Sequence, residues 1–147
     1  MHHLTRSQVR AVLWRWGPPL AVMALLFVTS AQPKYGPPDP DATVYFSGLI
    51  PIFAGLLDVV VKKGAHFLVY GLLGLLLMRA LVAEGMDARR ASYLAIALAA
   101  GYALTDEFHQ AFVPGRTVSG IDIGLDLAGA AAFTLIARRS RYPRSAI

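Results

Sequence analysis

The strongest constraint on this chain is that apolar runs, each about long enough to cross a bilayer, recur along only 147 residues. A helix spanning the ~30 Å hydrocarbon core needs about 20 mostly apolar residues. The cleanest run is GAHFLVYGLLGLLLMRALV, from Gly64 to Val82, where Arg79 sits close enough to the end to extend its head toward the interface. Another, from Leu13 to Ala31, opens on Trp14, Arg15 and Trp16 and carries Pro18 and Pro19 near its start, where a first turn tolerates proline. Ala91 to Tyr102 continues through the polar ALTDEFHQAF to Phe112, and Ile121 to Ala137 is rich in the Gly and Ala that let helices approach closely. The expected fold is all-α, one integral membrane domain over residues 1–147, a four-helix transmembrane bundle with spans near 13–31, 64–82, 91–112 and 121–137. Composition excludes the alternatives: 56% hydrophobic and 16% charged fits neither an ordinary soluble domain, with about 25% charged residues, nor a disordered chain.

Orientation follows from the cations, because short cytoplasmic loops carry the excess of Lys and Arg. Arg6, Arg10, Arg15, Arg79, Arg89, Arg90, Arg138, Arg139, Arg141 and Arg144 fall on one side of the expected topology, and Lys34, Lys62, Lys63 and Arg116 on the other. Both termini are therefore expected in the cytoplasm. The net charge of +5 reads as topology, and no nucleic-acid partner is expected. Residues 32–41, QPKYGPPDPD, read as a Pro-rich extended linker. The following 42–61 is interrupted by Pro51 and Asp58 and is expected to be interfacial or re-entrant. The basic start, apolar centre and small-residue end of the first run also fit a signal peptide, so its retention stays open.

Ionisable residues inside spans cost about 2.5–3.5 kcal/mol near the helix centre, so each is a candidate for function. Here they gather at one end. Lys63, His66 and Tyr70 share a helical face by spacing; Asp106, Glu107 and Gln110 lie within about a turn of one another, with His109 pointing elsewhere. Val113-Pro114-Gly115-Arg116 then breaks the helix, and Asp122 and Asp126 stand four apart on the next span. Plainer roles exist for some: Lys62 and Lys63 as headgroup anchors, Asp122 as a first-turn acid favoured by the helix dipole, and His66 as a hydrogen-bonded structural residue. Asp126, a turn deeper, needs a partner such as Arg116, Lys63 or His66. The candidate binding set is Lys63, His66, Tyr70, Asp106, Glu107, Gln110, Arg116, Asp122 and Asp126. There is no cysteine, hence no thiolate chemistry or disulfide. One imidazole among carboxylates is a generic set that names no metal, and no glycine-rich nucleotide loop is present, so no cofactor is expected.

These residues carry a further pattern. Lys63-x-x-His66-Phe67-x-x-Tyr70, then Asp106-Glu107-x-x-Gln110-x-Phe112-Val113-Pro114-Gly115-Arg116, then Asp122-x-x-x-Asp126-x-x-Gly129 resembles the VanZ-like family of small polytopic bacterial membrane proteins. The detailed match covers about half of the chain, and Asp126 stands where the family pattern commonly has Asn. The resemblance implies a role in the cell envelope and an association with tolerance of the glycopeptide teicoplanin, without a settled reaction. Two classes of function fit the residues. One is a binding factor taking the polar head group of a lipid-linked cell-wall precursor or other envelope component. In it Arg116 and Lys63 would contact phosphate or carboxylate, and Asp106, Glu107, Gln110 and Tyr70 would hydrogen-bond sugar or peptide groups. The other is an intramembrane hydrolase or transferase, with His66 as base or nucleophile and Glu107 or Asp122 orienting it or acting as acid. A small transporter is a third reading, and the oligomeric state is open.

Overall fold

The computed structural model describes residues 5–33 and 51–142, which form four α-helices and, among the described residues, no strand. These are α1 (Arg6–Ser30), α2 (Pro51–Ala83), α3 (Ala88–Gln110) and α4 (Gly120–Arg141). Local chemistry sets their starts. Thr5 and Gln8 form a capping box on α1, Asp87 accepts the Arg89 and Arg90 N–H groups at α3, and Ser119 accepts that of Asp122 at α4. The turn from α2 to α3 needs Gly85 at φ +93°, a conformation that glycine alone adopts at little cost.

Three helical stretches are long and apolar enough to cross a membrane: Arg6–Ser30, Lys63–Ala83 and Gly120–Arg141. The expected third span is also helical, with 23 residues in α3, but Asp106, Glu107 and Gln110 near its end hold it below the same apolarity. The expected interruption at Pro51 and Asp58 does not break the helix: α2 begins at Pro51 and runs on to Ala83. Pro51 occupies a first-turn position, where its missing N–H costs nothing. At 33 residues, α2 is about 50 Å long, well beyond the ~30 Å of a hydrocarbon core. Residues 42–50, the rest of the segment expected to be interfacial or re-entrant, lie outside the described residues, as does most of the Pro-rich linker.

The helices alternate in direction. α2 and α4 share the most extensive interface, α3 packs against both, and α1 rests on α2 and α3. The α2–α4 crossing is built on missing side chains: Gly71 lies under the Phe133 ring, Gly74 against Thr134 and the Ala130 backbone, and Gly129 against the Phe67 carbonyl. The Phe67 and Phe133 rings meet edge to face, centroids 6.0 Å apart. α3 buries an alanine at every fourth position, Ala91, Ala95, Ala99 and Ala103, which brings its backbone close to its neighbours. Tyr70, Leu73, Leu77, Met78 and Leu81 of α2 fill the centre. The outer surface is apolar too, with Leu13, Leu25, Leu68, Leu104 and Ile136 exposed, as a lipid-facing surface requires.

Contacts fix which helix ends lie together. Glu84, just after α2, accepts from Arg15 and from the Trp16 indole, each at 3.1 Å, and Arg138 meets Ser92 at this same end. At the opposite end Ser30 meets Asp106, and Lys63 meets Asp122. We call these the basic and the acidic end.

A methyl group at Gly129 would collide with the Phe67 carbonyl, a backbone atom unable to yield without separating α2 from α4. Gly129→Ala is expected to destabilise the protein by about 1–3 kcal/mol or more. At Gly101 an added methyl group would meet nothing within 4 Å, so Gly101→Ala is expected to be neutral or stabilising by about 0.5–1 kcal/mol through its effect on helix propensity. Thermal melts of the two variants in detergent check the contrast.

Candidate functional site at the acidic end

The α2–α4 crossing places two ion-pairing contacts as successive rungs. Lys63 Nζ lies 2.6 Å from Asp122 Oδ1, and His66 Nδ1 lies 3.2 Å from Asp126 Oδ1. The spacing of three on α2 against four on α4 brings both pairs into register. The Asp126 side chain is 2% exposed and that of His66 34%, so the imidazole forms the open edge of a contact whose carboxylate is enclosed. Of the candidate partners for Asp126, His66 is the one it meets.

Asp106 joins α1 to α3. Its Oδ1 accepts the Ser30 hydroxyl at 2.6 Å and its Oδ2 the Gln110 amide at 3.0 Å, four residues along the same helix. Glu107 Oε2 accepts the backbone N–H of Ser119 at 2.8 Å, tying the end of α3 to the start of α4. Asp106, Glu107 and Gln110 are each only 4% exposed. Among the described residues no cation lies within ion-pairing distance of Asp106 or Glu107.

Arg116 is used differently from its expected role. Its guanidinium donates to the Thr29 carbonyl at 3.0 Å and the Gln32 carbonyl at 3.4 Å. It thus places a cation on the orphan carbonyls at the C-terminal end of α1. Arg116 stands apart from Asp122 and Asp126, and braces α1 against the turn after α3. His109 also stands apart, stacked on Phe27 at 4.3 Å between ring centroids.

Tyr70 completes the set. Its side chain is fully buried, and its hydroxyl has no hydrogen-bond partner among the described residues. It lies one turn beyond His66 on α2, with its ring 6.4 Å from that of Tyr102. Tyr102 in turn donates its hydroxyl to the Met23 carbonyl of α1. Of the nine residues expected from sequence, Lys63 and His66 pair with Asp122 and Asp126, Asp106 meets Gln110, Glu107 holds the start of α4, Tyr70 lies one turn beyond His66, and Arg116 serves α1. Sequence reasoning missed Ser30 and Ser119. Ser119 had a signal, standing three residues before Asp122 as an N-cap does; Ser30 had only its place at the polar end of an apolar run.

Chemically, the cluster presents carboxylates and one free hydroxyl, with its cations already engaged. His66 turns Nδ1 to a buried carboxylate, the arrangement that fixes an imidazole's tautomer and leaves Nε2 for other work. No group of described residues has the make-up of a metal site.

The fold and this cluster define a multi-helix membrane protein with an ionisable group of residues at one end. Residues 16–141 match the VanZ/LLP1 family, and the chain belongs to that family. No curated protein and no solved structure gives a significant match to it.

Because Arg116 uses separate nitrogens on its two carbonyls, Arg116→Lys is expected to lose one contact and about 0.5–1.5 kcal/mol of stability. Lys63→Arg keeps a point charge beside a partly exposed Asp122 and is expected to cost less than about 0.5 kcal/mol. Melting temperatures in one detergent test the order; equal losses would remove the bracing role from Arg116.

Proposed function

We propose that this VanZ/LLP1 family member is a four-span protein of the bacterial inner or plasma membrane, both termini cytoplasmic, whose acidic end binds the polar head group of a lipid-linked or cell-wall component at the outer leaflet. The single observation that carries the reading is the Tyr70 hydroxyl, fully buried and without a hydrogen-bond partner among the described residues, one turn beyond His66 on α2. An unsatisfied buried hydroxyl costs about 1–3 kcal/mol, which a ligand hydrogen bond would recover. The positive-inside rule places the acidic end outside. Family membership supports a role in the envelope, and the link to glycopeptide tolerance comes by resemblance to the VanZ-like pattern.

The engaged state of the cations selects the part of the ligand. Lys63 is paired with Asp122 and Arg116 donates to backbone carbonyls. With Lys63 and Arg116 so held, recognition falls to Asp106 and Glu107, which meet neutral donors rather than cations, and to the Tyr70 phenol. These suit sugar hydroxyls, amide N–H groups or an amine better than phosphate. The half-exposed His66 edge is where such a group would enter.

One observation favours a second reading, an intramembrane hydrolase or transferase. The 3.2 Å contact of His66 with Asp126 supplies an orienting carboxylate for a base or nucleophile. That role was expected of Glu107 or Asp122, but Glu107 accepts a backbone N–H and Asp122 faces Lys63.

The test is binding of the detergent-solubilised protein to labelled lipid-linked cell-wall precursor, with the ligand followed chemically. Tyr70→Phe is expected to weaken binding by about 5- to 100-fold while the ligand is recovered intact. Conversion that stops in His66→Ala while binding persists would establish the enzyme instead, and no interaction in any variant would overturn both readings.

A further inference from the structure

The basic end holds a second arrangement, independent of the reading above. Three of its described arginines have a counter-charge or a carbonyl: Arg15 pairs with Glu84 and Arg90 with Asp87, and Arg79 donates to the Trp14 carbonyl while lying over the Trp14 ring. Arg138 on α4 has no carboxylate partner among the described residues. Its position is nevertheless fixed. One guanidinium nitrogen donates to Ser92 Oγ at 3.2 Å, and Ser92, itself fully buried, spends its proton on the Arg89 carbonyl at 2.7 Å. The guanidinium carbon lies 5.5 Å from the centroid of the Tyr93 ring, which is 54% exposed. Arg89, four residues before Tyr93 on the same face of α3, likewise has no carboxylate partner among the described residues.

Two neighbouring helices therefore bring two guanidiniums without carboxylate partners among the described residues to one exposed aromatic ring. An ordinary surface arginine is mobile and hydrated, and ordering it costs entropy. Here the buried Ser92 and the Tyr93 ring have already ordered Arg138, leaving its remaining N–H groups for an anion in the forked geometry that suits phosphate. The depth suits a membrane headgroup: Tyr93 is about 7 Å from the start of α3 and Arg138 about 5 Å from the end of α4 by helical rise. Elsewhere around their circumference the same helices expose Leu94, Leu98 and Ile136, so the guanidiniums sit at the margin of a lipid-facing surface.

We propose that the Arg89–Tyr93–Arg138 surface between α3 and α4 binds the phosphate of an anionic phospholipid. The site takes lipid from the leaflet at the basic end and is separate from the head-group site at the acidic end.

The experiment is native mass spectrometry of the full chain released from neutral detergent after titration with phosphatidylglycerol or phosphatidylcholine. The wild type is expected to retain phosphatidylglycerol in preference. Arg138→Gln is expected to lower that retention about fivefold or more, with phosphatidylcholine retention unchanged. Arg139→Gln removes an exposed charge one residue on and is expected to change little. Equal losses in the two variants would mean diffuse attraction and overturn the site, as would a wild type without headgroup preference. Should Arg138→Gln fail to accumulate, Arg138→Lys and Tyr93→Leu keep the net charge while removing the fork or the ring. Both are expected to weaken phosphatidylglycerol retention, and unchanged retention in both would overturn the proposal.

Discussion

The close approach of α2 and α4 is the constraint on which the acidic end depends. Where Gly129 meets the Phe67 carbonyl there is no room for a side chain, and Gly71 and Gly74 continue the contact along α2. Between lipid-facing helices there is little hydrophobic gain to be had, so close van der Waals packing has to supply the cohesion. The same closeness brings the side chains on either side of the contact within reach of each other. His66 immediately precedes Phe67, and Asp126 lies three residues before Gly129. Their 3.2 Å contact is thus set by backbone packing, and polar attraction is spared the work of pulling the helices together.

The polar groups around that crossing follow from the cost of leaving any of them alone. In an apolar surrounding each unsatisfied backbone or side-chain group costs several kcal/mol. Glu107 meets one such demand by accepting the Ser119 N–H, the task an acid three residues inside a helix performs in a capping box, here supplied from the preceding helix. Arg116 meets another at the carbonyls ending α1, and Asp106 takes two donors from two helices. Once these are assigned, the Tyr70 hydroxyl stands out. Its ring packs in the apolar core of the bundle, yet nothing described donates to its hydroxyl or accepts from it, as is also true of Thr134.

Much of the helical layout is legible in the sequence because apolar runs near 20 residues have few alternatives, and α4 lies close to the expected limits. α1 ends as expected but starts at Arg6, before the expected Leu13, so Pro18 and Pro19 lie in its interior rather than in a first turn. Arg79 donates to the Trp14 carbonyl that Pro18, lacking an N–H, leaves free. The start of α2 is easily misread because proline and aspartate look like interruptions in a hydropathy scan, whereas Pro51 lies in a first turn that proline suits. α3 is harder for a physical reason: its buried face is made of alanines that pack against α2 and α4, and its polar end departs from the apolar pattern of a span. Within the site, spacing on one helix correctly groups Lys63 with His66 and Asp106 with Gln110. Pairings across helices are not available from spacing. That Asp126 meets His66 and that Arg116 turns to α1 depend on helix rotation and crossing, which no local pattern encodes.

The two ends differ in a way that bears on the transport reading. Carboxylates without cations gather at one end and guanidiniums without carboxylates at the other, separated by Leu73, Leu77, Met78, Ala95, Ala99 and Ala130, all buried. Thr134 is the one buried polar side chain on α4 within that apolar layer, and its hydroxyl sits against the glycine that lets α2 approach. A permeating polar solute would need successive partners along its path, and the described residues provide them only at the two ends. On the readings proposed above, hydrogen-bond donors or amines would meet the acidic end and anionic phosphate the basic end, with the packed apolar centre between them.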